Sequence, residues 1–201
     1  MSLPYETMSN EEMLHLQIGP LQDQGLCFVW VVTRALAIGR ECLARWGYKF
    51  EGELLWVKMD QLARLKRTGR TGRWLNHTCE HCLIGSKGNI SGFNLSLDCD
   101  VILSQGRETS RKPDEAYSML ERLSPGTRKL EIFGRQHNTR NNWVTLGNQL
   151  DGQRVEDPAL RERIERRYGP DALQMTELPP KQQPPQPPPM AHLNRAPPGR
   201  R

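Results

Sequence analysis

The chain has 201 residues, 36% hydrophobic and 25% charged, with a mean hydropathy of -0.68. That size admits one ordinary domain, or one domain with tails, and the modest apolar share requires that most Leu, Ile, Val and Trp be buried. No apolar stretch approaches the roughly 18 residues of a membrane span, so a bilayer-spanning role is excluded. The formal net charge is +5. Lys181, Arg195, Arg200 and Arg201 put +4 of it after Leu178, leaving the body near neutral apart from one basic run. That run holds Lys58, Arg64, Lys66, Arg67, Arg70 and Arg73 against Asp60 alone.

Residues 1–13 carry neither a basic n-region nor an apolar h-region, so no secretory signal is expected. Five cysteines, Cys27, Cys42, Cys79, Cys82 and Cys99, form an odd and sparse set. They read as reduced thiols of an intracellular protein and not as a disulfide framework.

In chain order, Leu26–Val32 is a continuous apolar run, as expected of a strand buried on both faces of a parallel sheet. Residues 34–46 form an amphipathic helix stopped by Gly47. Glu53–Met59 and Glu80–Ser86 read as strands separated by a long polar loop carrying the basic run, and Asp100–Ser104 as a further strand. Residues 113–123 form the clearest helix. Pro113 suits its first position, Asp114 and Glu115 its dipole, and Ala116, Met119, Leu120 and Leu123 its buried stripe. Thr127–Phe133 alternates into a strand, and Pro158–Tyr168 is a helix with Asp157 as N-cap and Gly169 as stop. This alternation predicts an α/β, Rossmann-like sheet in one domain over residues 1–178. Nine of the fifteen prolines fall between Pro179 and Pro198, so 179–201 is expected to be a disordered Pro/Arg-rich tail. A PxxP ligand for an SH3-like partner is the functional alternative for that tail.

Open α/β sheets bind ligands outside the carboxyl ends of their strands. The loops after Ser104 and Phe133 are therefore the ones to watch. A ligand with a carboxylate and a ribose would use Lys112 or His137 for its acid group, and Arg135, Asn138, Asn148 or Gln149 for its hydroxyls. The plainer alternative for each is a loop polar group facing water. No phosphate-type glycine fingerprint occurs, which disfavours NAD and ATP. His77, Cys79, His81 and Cys82 look like half of a zinc site, but the second ligand pair is absent and strand alternation separates the side chains, so no metal is expected. The basic run, with its Thr-Gly-Arg-Thr-Gly turn and Trp74 behind it, pairs phosphate-binding charge with a stacking ring and points to nucleic-acid or protein contact.

The strings RTGRTG, WLNH, EHCL, SRKPDE, FGRQHN and GNQL carry more than pattern. From about Leu3 to Tyr168 the chain closely resembles the adenine-N6 methyltransferase family, in particular the catalytic subunits of eukaryotic mRNA writer complexes. The resemblance implies a Rossmann-like methyltransferase fold and S-adenosyl-L-methionine as cofactor. It also implies a methyl acceptor at N6 of adenosine in mRNA, a heterodimer with a non-catalytic homologous subunit, and residence in the nucleus. It further implies that Lys112 holds the methionine carboxylate, and that Arg135, Gln136, His137 and Asn138, with Asn148 and Gln149, line the adenosine and ribose. Tyr5, Glu80 and Arg107 match positions that handle the target base or RNA. Gln61–Thr78, with Arg64, Arg67, Arg70, Arg73 and Trp74, matches the loop that meets the partner subunit. Thr33 and Gln136 stand where the family commonly has Gly and Pro.

An exocyclic amine is a poor nucleophile and must be oriented at near-attack distance from the sulfonium methyl. The family does this with an Asp-Pro-Pro-Trp motif, which these 201 residues do not contain. The resemblance puts that motif a few residues upstream of the position matching Met1, so no catalytic residue is expected from Met1 onward. The reading is therefore a methyltransferase fold lacking its N-terminal strand and catalytic motif, a truncated form of a normal enzyme. The alternative is a catalytically inactive paralogue acting as an RNA-binding or assembly subunit. On either account the chain alone is not expected to methylate.

Overall fold

The computed structural model describes residues 7–66, 74–108, 110–150 and 154–173, in two compact units that divide between Thr127 and Arg128. Met1, behind which the catalytic motif is expected, lies outside the described residues, as do Tyr5, Arg67, Arg70, Arg73 and the Pro/Arg-rich tail.

The first unit opens with a short helix, α1 (Asn10–His15), absent from the sequence reading. Its signal was present in Ser9-Asn10-Glu11-Glu12. The Ser9 hydroxyl accepts from the Glu12 amide at 3.2 Å and the Glu12 carboxylate accepts from the Ser9 amide at 2.7 Å, a reciprocal cap of two otherwise orphaned donors.

β1 (Gly25–Val31), β2 (Lys49–Met59), β3 (Cys79–Lys87) and β4 (Val101–Gln105) form one sheet in the order β1-β3-β2-β4. β3 runs antiparallel to both neighbours and only β2 and β4 are parallel. The apolar run at Leu26–Val32 is thus not a parallel strand buried on both faces. It is an edge strand, half-buried over most of its length, paired antiparallel with β3. The strands flanked on both sides are β3 and β2, and in β3 Cys82 and Leu83 are buried on opposite faces of the pleat.

Among the described residues, two helices cover opposite faces of this sheet. α2 (Leu36–Arg45), entered through a 3-10 turn at Thr33–Ala35, packs close to β1 and β3 because Gly39 has no side chain. A Cβ there would stand 2.8 Å from both Val31 and Leu83. Gly47, at a φ of 83°, ends the helix segment as expected. On the other face, α3 (Asp114–Leu123) presents Ala116 to a core of Leu54, Trp56, Cys82 and Ile102, flanked by Phe28, Trp30, Ile84 and Met119. Pro113 proves to be the N-cap of this helix and not its first residue, with an extended ψ of 140°.

The second unit holds a small mixed sheet of β5 (Lys129–Glu131), β6 (Trp143–Thr145) and β7 (Arg154–Val155), with β5 and β6 parallel. β5 is shorter than the Thr127–Phe133 segment expected, and β6 and β7 have no counterpart in the sequence reading. α4 (Pro158–Tyr168) has the predicted bounds: the Asp157 carboxylate accepts from the Leu160 amide at 2.9 Å, and Gly169 stops it at a φ of 95°. No helix among the described residues is long and apolar enough to cross a membrane.

Candidate functional site

In the first unit the parallel strands β2 and β4 end together, Lys58 opposite Ser104 and Met59 opposite Gln105. The chain after β4 turns back beneath this end, the Gly106 amide donating to the Met59 carbonyl at 3.2 Å. It then delivers Lys112 just before α3. The Lys112 ammonium donates to Glu80 Oε2 at 2.7 Å and lies 5.4 Å from the centre of the Trp30 ring. Glu80 stands opposite Trp56 in the β2/β3 register, on the core face of the sheet. A charge on that face needs partners, because its neighbours across the pleat are apolar. It has two: Lys58 donates to its other oxygen. Burial pushes the Glu80 carboxyl up, but the neighbouring ammoniums, Lys112 ahead of Lys58, outweigh burial and hold it below its ordinary value. The sequence-predicted cation Lys112 and the RNA-handling candidate Glu80 are therefore one ion-paired group. Lys58, seen in the sequence only as part of a basic run, is its third member.

Arg107 is turned toward the first turn of α3, where Nη2 donates to both Glu115 oxygens at 3.2 Å. Its Nε is buried without a hydrogen-bond partner among the described residues. Arg111 is held by Glu108 at 2.9 Å and by Asp114 at 3.2 Å. Arg107 and Arg111 thus tie the chain ahead of α3 to that helix, and Lys112 is its contribution to the core face.

In the second unit two loops are drawn together by close backbone contact. The Gly134 amide donates to the Leu146 carbonyl at 2.8 Å, and Arg135 bridges to Gln149. Glycine is required on both sides: a Cβ on Gly147 would stand 1.9 Å from the Gly134 carbonyl oxygen, and one on Gly134 2.1 Å from Thr145. Residues 136–138 form a 3-10 turn, closed by the Arg135 amide donating to the Asn138 side-chain oxygen at 2.8 Å. Asn138 is buried, so one of its roles is to shape the turn. Arg135 and His137 are half-buried, while Gln136, Asn148 and Gln149 are exposed. The structure therefore brings the Arg135–Asn138 set beside Asn148 and Gln149. A guanidinium, an imidazole and several carboxamides suit a ribose diol and a purine edge.

Of the interface candidates in the basic loop, Arg64 and Trp74 are among the described residues, both exposed, with Trp74 88% accessible. The loop's charge stands out in the sequence and its leucines do not: Leu62, Leu65 and Leu75 are exposed at 69%, 59% and 78%. Among the described residues no group of three or more His, Cys, Asp or Glu is placed to hold a metal ion. Cys82 is buried on the core face beside Trp56, where burial drives its thiol far above the ordinary range. Two open clefts lie away from the Lys112 group. One, of about 450 Å³, is lined by Leu14, Pro20 and Trp46, and the other, of about 550 Å³, by Asn10, Arg34 and Ile38. Neither contains a predicted site residue.

The MT-A70 family model matches residues 1–149, starting at Met1 itself. The chain is 58% identical over 173 residues to the N(6)-adenosine-methyltransferase catalytic subunit METTL3 of Homo sapiens, covering 86% of this chain and 30% of that protein. It is 59% identical over 168 residues to the N(6)-adenosine-methyltransferase MT-A70-like protein of Drosophila melanogaster, covering 84% and 28%. To the N(6)-adenosine-methyltransferase non-catalytic subunit METTL14 of the same fly it is 27% identical over 155 residues, covering 70% and 38%. The chain thus spans about 30% of the length of the catalytic-subunit relatives it matches. With a mixed α/β architecture and a model match over most of its length, the chain belongs to the MT-A70 family.

Proposed function

We propose that the chain supplies the cofactor- and RNA-handling part of an S-adenosyl-L-methionine-dependent enzyme that methylates N6 of adenosine in mRNA. It would work in the nucleus beside a homologous non-catalytic subunit. The observation that carries this reading is the placement of Lys112, the cation expected to hold the cofactor's carboxylate, at the carboxyl end of the parallel β2/β4 pair and on the core face.

Each unit's donors suit a part of the cofactor by their chemistry. Lys112 offers an ammonium to the methionine carboxylate, while Arg135, Gln136, His137, Asn138, Asn148 and Gln149 offer hydrogen bonds to ribose and adenine. When bound, S-adenosylmethionine supplies an electrophilic sulfonium methyl. Arg107 and Glu80, with Tyr5, are the residues we assign to RNA, and the acidic pairing of Arg107 with Glu115 is the contact an RNA phosphate would displace. Arg64, Arg67, Arg70, Arg73 and Trp74 would meet the partner subunit, and the exposed Leu62, Leu65 and Leu75 add the apolar area such an interface needs. No Asp-Pro-Pro-Trp acceptor for the amine occurs between Met1 and Arg201, so transfer is expected only where such a motif is supplied.

Ultraviolet cross-linking of methyl-labelled S-adenosylmethionine to the chain, followed by peptide mapping, tests the assignment. Label is expected in peptides containing residues 106–113 or 134–149 and to be competed by S-adenosylhomocysteine. Label confined to other peptides, or none, would overturn it. A fluorescent fusion excluded from nuclei would overturn the localisation.

A further inference from the structure

The carboxylate of Glu80 is divided between two ammoniums. Lys112 takes Oε2 at 2.7 Å and Lys58 takes Oε1. All three side chains are about one-fifth exposed, at 20%, 21% and 22% for Lys112, Lys58 and Glu80. Each ammonium also rests over a tryptophan. Lys58 lies 4.8 Å from the centre of the Trp56 ring and Lys112 lies 5.4 Å from that of Trp30. The two rings meet edge to face, 6.4 Å apart at 80°, and the Trp56 indole donates to the Ser104 hydroxyl at 3.0 Å. A belt of side chains therefore crosses β4, β2, β3 and β1 and ends on Lys112. Holding a lysine in one rotamer costs conformational entropy, which an isolated half-exposed ion pair barely offsets. Here each lysine has both an ion pair and an aromatic face.

The charge balance of this belt decides what Lys112 can offer a ligand. With both lysines present, the group of three carries one net positive charge. Without Lys58, both Glu80 oxygens are free to close on Lys112, and the pair that remains is neutral. We propose that Lys58 is a positioning residue for anion binding at Lys112. It occupies one oxygen of Glu80, so that Lys112 keeps a single-oxygen contact and the group keeps a net positive charge toward a ligand carboxylate. The inference rests on the reading of Lys112 as the holder of the cofactor's carboxylate, and Lys58 touches neither cofactor nor substrate in it.

Two readouts on the full chain test it. One is the rate at which Lys112 is acetylated by limiting acetic anhydride, followed by mass spectrometry. The other is the affinity for S-adenosylhomocysteine by calorimetry. Lys58→Met is expected to slow Lys112 acetylation about threefold and to weaken the ligand about tenfold, by loss of one nearby charge. Lys58→Arg, which keeps the charge, should hold both within about twofold of the original. In Lys58→Met/Glu80→Gln the carboxylate that closes on Lys112 is gone and the net positive charge is restored, so Lys112 acetylation should return to the original rate or above it. A merely structural role for Lys58 would not be relieved by the second substitution. Unchanged Lys112 acetylation in Lys58→Met, or no relief in the double variant, overturns the positioning role whatever the ligand does. Altered acetylation in a chain whose unsubstituted form binds no S-adenosylhomocysteine sustains the coupling through Glu80 and overturns the cofactor reading instead.

Discussion

The two units build their functional residues in different ways. In the first, Glu80, Lys58 and Lys112 are set by side-chain partners on a four-stranded sheet whose core includes Trp56 and Cys82, both 1% exposed. In the second, the loops that carry Arg135–Asn138 and Asn148–Gln149 are drawn together by backbone contacts. Strands of three residues or fewer, two glycines in contact and a turn closed on the Asn138 side chain hold the loops, and Gln136, Asn148 and Gln149 are exposed. A charged cluster needs a rigid, partly dry floor, because its worth depends on dielectric and distance. Amides that read hydroxyls and ring edges need only correct spacing, which a close backbone contact supplies. Damage should therefore spread from a side chain in the first unit and from a lost glycine in the second.

The largest effect is expected at the floor itself. Trp56→Ala should cost about 3 to 5 kcal/mol of unfolding free energy, by cavity formation at a fully buried ring, with Lys58 losing the face it rests on. Chemical denaturation checks the cost. In the second unit Gly147→Ala should cost about 3 kcal/mol, because the new Cβ must push the Gly134 carbonyl away. Gly52→Ala, with nothing within 4 Å of its Cβ, is the control and should stay within about 1 kcal/mol. If Gly147→Ala were as mild as Gly52→Ala, the backbone account of the second unit would fail.

Glu80 gives a pH signature. Its carboxyl is held below the ordinary value of 4.5 by Lys112 and Lys58 against the opposing effect of burial. A carboxylate with a lowered folded-state value binds its proton more weakly when folded than when unfolded. Its stabilising contribution is thus fully present above pH 4.5 and is lost as pH falls through the lower, folded value. The stability difference between the original chain and Glu80→Gln should be level through neutral pH and shrink on acidification below 4.5. A difference that grew instead would reverse the assigned sign. The smallest effect is expected at α4, where Asp157→Ala should cost about 1 kcal/mol through loss of the cap on the Leu160 amide, read by thermal unfolding.

What can be read from the sequence follows the range of the interactions involved. α4 is legible to its terminal residues because Asp157, Pro158 and Gly169 act locally. The strands containing Trp30, Trp56 and Cys82 show in their apolar content, but the direction of β1 does not, since pairing joins Trp30 to Cys82 across fifty-odd residues and periodicity carries no sign of direction. β6 and β7 escape because two or three residues hold too little pattern to recognise. Lys112 and the Arg135–Gln149 residues stand out from their place after strands and from the family resemblance. Lys58 does not, since its pairing with Glu80 depends on the register that sets Trp56 opposite Glu80. One clue is available: Glu80 shares its face of a strand with Cys82 and Ile84, and a carboxylate on such a face requires cations nearby.

Lys112, paired with Glu80 on the core face, is the proposed anion-holding cation of a methyl-donor site. Calorimetric titration of the chain with S-adenosylhomocysteine tests it most directly. Saturable binding to one site, weakened about tenfold or more in Lys112→Ala and unaltered in an exposed control such as Lys49→Ala, is the predicted result. Equal affinity in the original chain and Lys112→Ala would contradict it.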